Sequence, residues 1–158
     1  MDIEVFADGL TIEDIGDVPH KTGCRAVIKK DDKYLVVRLK KWDITTFPGG
    51  GLEENETLEE CCVREVLEET GITCKVIQRK ISVTEYFLDS IWTNVYFSCE
   101  YIKDTGETNY TQEEIDLGLE KSWKTLEELM DILENNMTLH ENGPAIHSRE
   151  FLGLIHSI

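Results

Sequence analysis

Short apolar and β-branched runs alternate with polar turns through the first two-thirds of the chain, and helical spacing takes over near the end. Cys24-Arg-Ala-Val-Ile28 and Tyr34-Leu-Val-Val-Arg38 flank Asp31-Asp32, which predicts a β-hairpin. Pro48-Gly49-Gly50-Gly51 follows Phe47 and reads as a loop. A helix is predicted over Thr57–Thr70, because Thr57 and Glu60 have capping-box spacing and Gly71 is placed to end it. Thr73–Val83 and Ile91–Ile102 are rich in β-branched and aromatic residues and predict further strands, with a turn at Asp104–Thr108. Glu120–Trp123 reads as a short strand and Thr125–Leu133 as a helix. Ser148–Ile158 carries Phe151, Leu152, Leu154, Ile155 and Ile158 at helical spacing. Strands interleaved with helices predict an α/β or α+β fold. The first twenty residues are weakly periodic and read as an arm or a peripheral strand. This divides the chain into residues 1–23 and a single domain over 24–158.

Composition narrows the function more than the fold. With 158 residues and 41% hydrophobic content, the chain is long enough for one packed core. Its 32 acidic against 16 basic residues give a net charge of −16, which argues against a surface that grips a nucleic acid polymer. A small phosphorylated substrate stays open if local cations override that sign. The acidic start has no signal-peptide pattern, and no apolar run approaches the ~20 residues that span a bilayer. Five cysteines, odd in number and without a C-x-x-C, argue for reduced thiols and a cytoplasmic location.

On a wheel of the predicted helix, Glu65, Glu68 and Glu69 share an arc of about 100°, opposite Val63, Val66 and Leu67, which are expected to enter the core. Like charges one turn apart repel, so the arc is either a plain solvated face or a cage for a hard cation. The three glycines just upstream favour the cage, since a backbone without side chains can approach a metal or a phosphate closely.

The run Gly50-x5-Glu56-x7-Arg64-Glu65-Val66-x-Glu68-Glu69-x-Gly71-Ile72 resembles the Nudix box, with no fixed position missing. Phe47-Pro48-Gly49 resembles its usual lead-in, and Leu119–Leu129 the family's late strand and helix, so the resemblance spans residues 24 to 135. It implies an α/β/α sandwich with a mixed sheet. It also implies Mg²⁺- or Mn²⁺-dependent cleavage of a nucleoside diphosphate linked to another group. By position, Glu65, Glu68 and Glu69 are implied metal ligands joined by the Gly49 carbonyl. Glu65 is also a candidate base, and Arg64 and Glu56 form the pair that orients the helix. A late-loop acid often completes such sites; Glu114 is favoured here, with Glu113, Asp116 and Glu120 as rivals. Cys61-Cys62 departs from the small residues usual there, and Cys61, on the carboxylate arc, reads as a packing residue or a soft-metal ligand.

The substrate-binding expectation falls on Arg38, Gly50 and Gly51, with Lys40 and Lys41 as further phosphate partners or a solvated strand end. Trp42, Phe47, Tyr86 and Trp92 are candidates for stacking on a base or sugar, or for packing. Arg149-Glu150 reads as a surface pair on a docked helix or as an approach to the site. The protein is expected to act as a monomer or homodimer on a small nucleotide-type diphosphate, without a membrane. The alternative is a non-catalytic nucleotide-binding or regulatory module on the same fold.

Overall fold

The computed structural model describes residues 1–7, 9–135 and 137–158, so Asp8 of the N-terminal arm lies outside the description. Twelve strands and helices are described, together with a short 3-10 turn at Ile12–Asp14. In chain order they are β1 (Asp2–Phe6), β2 (His20–Lys30), β3 (Lys33–Leu39), β4 (Ile44–Thr46), β5 (Gly49–Gly51), α1 (Leu58–Thr70), β6 (Ile72–Tyr86), β7 (Ile91–Asp104), α2 (Gln112–Leu117), β8 (Leu119–Thr125), α3 (Leu126–Glu134) and α4 (Gly143–Ile155). The strands run in the order β1-β6-β7-β2-β3-β4, with β5 added to β2 and β8 to β3. Two pairs, β1 with β6 and β2 with β7, are parallel and the others antiparallel, so the sheet is mixed.

The two faces of the sheet explain the layers. On β2, Cys24, Ala26 and Ile28 point one way and Val27 the other, as strand geometry requires. The first face meets Cys61, Cys62 and Val66 of α1; the second meets Leu129 and Leu133 of α3 and Leu154 of α4. β7 repeats the division, with Val95, Phe97 and Cys99 beneath α1 and Tyr96 on the opposite side. Burying a side chain the size of Phe97 is worth about 1.5–3 kcal/mol, so each face contributes substantially to holding α1 and α4 in place.

The predicted hairpin forms, and Asp31 and Asp32 both adopt positive φ (51° and 61°), the pairing that a two-residue turn between twisted strands needs. α1 is capped as expected: Glu60 N–H donates to Thr57 Oγ1 at 3.1 Å, and Gly71 ends the helix at φ 75°. Lys121 Nζ donates to the Thr70 carbonyl at 2.7 Å, putting a cation at the negative end of the helix.

Several expectations need correction. Gly49–Gly51 is not a loop but a strand, paired with Arg25, Cys24 and Gly23 of β2. A Cβ at Gly49 would strike the Cys24 carbonyl, so only a bare backbone lies this close. The inner face of α1 also differs: Val66 is buried and Val63 half-buried, but Leu67 is exposed, while Cys61, Cys62 and Glu69 turn inward. The last helix begins at Gly143, with Pro144 in its first turn, and stops at Ile155. Asp2–Phe6 of the arm is an edge strand on the chain's own sheet, in register with Ser82–Tyr86.

Candidate active site

Arg64 organises the start of the box helix. Its Nε and Nη2 donate to the two carboxylate oxygens of Glu56, both at 2.8 Å, a forked geometry that fixes both side chains. Nη1 reaches Glu65 at 3.0 Å and Glu68 at 3.2 Å, and Nη2 also donates to the Gly51 carbonyl at 3.2 Å. One guanidinium therefore ties the glycine strand, the connecting segment and two helix acids together. Hydrogen bonding to Arg64 holds the Glu56 carboxyl down at about 2. Gly50 lies against the Glu65 carboxylate, and a Cβ there would occupy the same space.

Glu69 stands apart from that network. It is 6% exposed and makes no salt bridge among the described residues. Burial pushes its pKa well above the usual carboxylate range; Arg25 opposes that, while Glu65 and Glu114 add to it. Burial likewise raises Glu65, against the pull of Arg64. A buried carboxylate with so little direct compensation is a site that favours an added cation. The available donors, Glu65, Glu68, Glu69 and backbone carbonyls of the glycine strand, are all hard oxygens, which suits Mg²⁺ or Mn²⁺. Among the described residues no three acidic, His or Cys side chains already converge as a closed cage, because Arg64 draws Glu65 and Glu68 toward itself.

Glu69 and Gly49 line a cleft of about 250 Å³. Its walls include Leu39 of β3, Trp42, Ile44 of β4, Leu119 of β8 and Ile146 of α4, together with Glu113 and Glu114 of α2. A second lobe of about 250 Å³ shares Arg25, Ile146 and Arg149 with the first. A larger surface hollow of about 630 Å³ runs along the other flank of α1; it includes Arg64 but neither Gly49 nor Glu69.

A family model for the NUDIX domain matches residues 19–145. The chain belongs to the Nudix family. It is 34% identical over 103 residues to an NAD-capped RNA hydrolase, NudC, of Photobacterium profundum, a match covering 61% of this chain and 36% of that one. It is 43% identical over 53 residues to an ADP-ribose pyrophosphatase of Methanocaldococcus jannaschii, covering 32% and 31%. The matched stretches thus span about a third of these relatives. The fold of a solved NUDIX hydrolase from Nitrosomonas europaea is similar, with a TM-score of 0.65 and 22% identity over 85% of this chain and 90% of that one.

Of the Nudix box, Glu69 lines the cleft next to Gly49 of the lead-in, while Glu65 and Glu68 are held by Arg64 and are not among its lining residues. Among the late acids, Glu113 and Glu114 line the cleft, and Glu114 Oε1 also accepts from Thr111 N–H at 2.8 Å. Asp116 accepts from Gln112, and Glu120 is held by Arg38 and Lys40. Arg38 stays outside: Val37 and Leu39 face the cleft, so the residue between them faces away, and its guanidinium binds Asp43 and Glu120. Trp42 and Trp92 line the two lobes, whereas Phe47 is in the core and Tyr86 stacks on Phe6 with ring centroids 4.5 Å apart. Cys61 is fully buried, its Sγ 3.4 Å from that of Cys24, and fills the space between helix and glycine strand.

Arg149-Glu150 is not a surface pair; both residues are buried. Glu150 accepts from Arg149 Nη2 at 2.7 Å, Tyr96 Oη at 2.6 Å and Phe47 N–H at 2.8 Å, while Arg149 also reaches Glu85 at 3.2 Å. Burial disfavours the charged forms of both, but their mutual attraction prevails: Glu150 is lowered and Arg149 raised. One turn earlier, His147 Nε2 accepts from Thr45 N–H at 3.0 Å, which leaves Nδ1–H to donate to the Asn135 carbonyl. Two alternate amides of the chain leading into the glycine strand are thus held by α4. Arg25, central to both lobes, donates to Asn94 and to the Phe47 carbonyl. Its role could not be read before the pairing of β2 with β5 and β7 was known.

Proposed function

We propose that this protein hydrolyses the pyrophosphate bond of a nucleoside diphosphate linked to another group, with Mg²⁺ or Mn²⁺ as cofactor. The observation that carries this reading is the buried Glu69, which lines one cleft together with Gly49 and Glu114. Glu65, Glu68, Glu69 and the Gly49 carbonyl are the groups that would hold the cation. When bound, such a cation neutralises diphosphate oxygens and acidifies water. The chain's own residues do the rest. Arg64 and Glu56 fix the helix relative to the glycine strand, and Gly71 ends the helix so that it enters β6. Gly50 keeps the backbone bare beside the Glu65 carboxylate, and the Gly51 carbonyl accepts from Arg64. Glu65 or Glu114 is the carboxylate that would accept the proton of the attacking water. Arg25, on the cleft wall, takes the electrostatic role expected of Arg38.

The test is phosphate or nucleotide release from a panel of nucleoside triphosphates, sugar nucleotides and dinucleotides, with and without Mg²⁺. Glu69→Gln is expected to lower turnover by orders of magnitude. Unaltered turnover in that variant would remove the site assignment. Ligand binding that ignores Mg²⁺, with no hydrolysis of any panel member, would instead favour a binding module.

A further inference from the structure

The lobe beyond Arg25 has a chemistry of its own. Glu85 and Asn94 line it and are 5% and 2% exposed. Arg149 Nη1 binds Oε1 of Glu85 at 3.2 Å, and no described residue binds Oε2. Arg25 Nε–H donates to Asn94 Oδ1 at 3.2 Å; a donor can only meet the carboxamide oxygen, so the NH₂ group is left over. The one fully enclosed side-chain polar atom without a partner among the described residues is Ser157 Oγ, so these two atoms, on residues that line the lobe, are not sealed from solvent. Trp92 and Phe87 supply flat apolar walls, and Lys21 Nζ lies 4.9 Å from the Trp92 ring centroid. A carboxylate acceptor, an amide donor and aromatic walls match a ring that carries both hydroxyl or N–H donors and acceptors. They match another phosphate less well, because the Glu85 carboxylate repels it and Arg149 is already paired with Glu85 and Glu150.

We propose that this lobe binds a neutral hydrogen-bonding ring, a sugar or a base, so that the substrate carries an organic group on both sides of its diphosphate instead of a terminal phosphate. The proposal rests on the hydrolase reading above and specifies what that site accepts. Each lobe holds about 250 Å³, and together they fall in the ~300–1,000 Å³ range of small-molecule sites.

Isothermal titration calorimetry of the full chain without metal tests this apart from turnover. ADP-ribose and ATP share an adenosine diphosphate core and differ in carrying a ribose or a phosphate. ADP-ribose is expected to bind at least about tenfold more tightly, since a site built for hydroxyl partners rejects a ligand that lacks them. Trp92→Ala and Glu85→Gln should each shrink that ratio; Trp92 is only half-buried, so its variant tests the lobe even where Glu85→Gln fails to fold. Equal or tighter ATP binding, or a ratio unmoved by Trp92→Ala, would overturn the proposal. Selective ADP-ribose binding with no hydrolysis in Mg²⁺ would support the lobe and refute the hydrolase reading.

Discussion

Removing the Glu150 carboxylate should cost more stability than removing any exposed acid. Glu150→Ala leaves Arg149, 8% exposed, with Glu85 as its remaining carboxylate, and strips the Phe47 amide and Tyr96 hydroxyl of their acceptor. Breaking a buried ion pair from one side costs about 3–5 kcal/mol. For a chain of this length, about 2–4 °C per kcal/mol gives a melting point lower by roughly 6–20 °C. Glu150→Gln retains a carbonyl for the Phe47 amide and should fall between wild type and alanine. The folded-state pKa of Glu150 lies below its ordinary value, so its contribution is full above pH ~4.5 and fades as pH falls toward the folded value. Calorimetric melts at neutral pH, with hydrogen exchange at the Phe47 amide, check both parts. A Glu150→Ala variant melting within ~2 °C of wild type would show that the network contributes little, and that its geometry had been given too much weight.

The other predictions concern the box and its helix. Glu69→Gln should leave the metal-free protein at neutral pH as stable as wild type or more so. Burial raises the folded pKa of this acid, so its ionisation costs stability as pH climbs from ~4.5 through the folded value. If the proposed metal site is right, Mg²⁺ should raise the melting temperature of wild type and leave that of this variant unmoved, which thermal melts in a Mg²⁺ series would reveal. Gly50→Ala must displace the Glu65 carboxylate pinned by Arg64, so its Mg²⁺ requirement should rise by at least about tenfold; an unchanged metal titration would contradict that contact. Glu56→Gln removes a carboxyl held at about 2, so acid titrations should show less stability lost between pH ~4.5 and 2 than in wild type.

What could be read from the chain alone follows from how local each signal is. α1 was legible because its caps, Thr57 with Glu60 and Gly71, and the spacing of its acids all lie within about four turns. The glycine strand was not, since three glycines signal a turn until a neighbouring strand is known to lie against them. β4 has three residues, too few for any period to appear. The turn around α2 carried a legible cap in Thr111 and Glu114, and that capping box was the missed clue to a helix there. Arg38 was misplaced although strand parity held the answer: with Val37 and Leu39 facing the cleft, the residue between them faces away. Arg149 and Glu150 resembled solvent-facing charge because their partners, Tyr96, Glu85 and the Phe47 amide, lie more than 50 residues distant.

The same distant contacts resolve the apparent conflict between a net charge of −16 and the polyanionic substrate proposed above. Surface acids are screened beyond a Debye length of about 10 Å at 0.1 M salt, so the sign that matters is set within the cleft. There Arg25 lies between two buried acids: it opposes the burial of Glu69 on one side and favours ionised Glu150 on the other. Glu150 is already matched by Arg149, which leaves Glu69 as the acid whose charge a cation would most relieve. A diphosphate and its metal entering together would bring that cation into the cleft that Glu69, Gly49 and Glu114 line. The excess negative charge of the surface therefore leaves the local balance intact. In the proposed reaction a metal would add to that balance, since among the described residues Arg25 and Arg149 are the two cationic side chains lining the cleft.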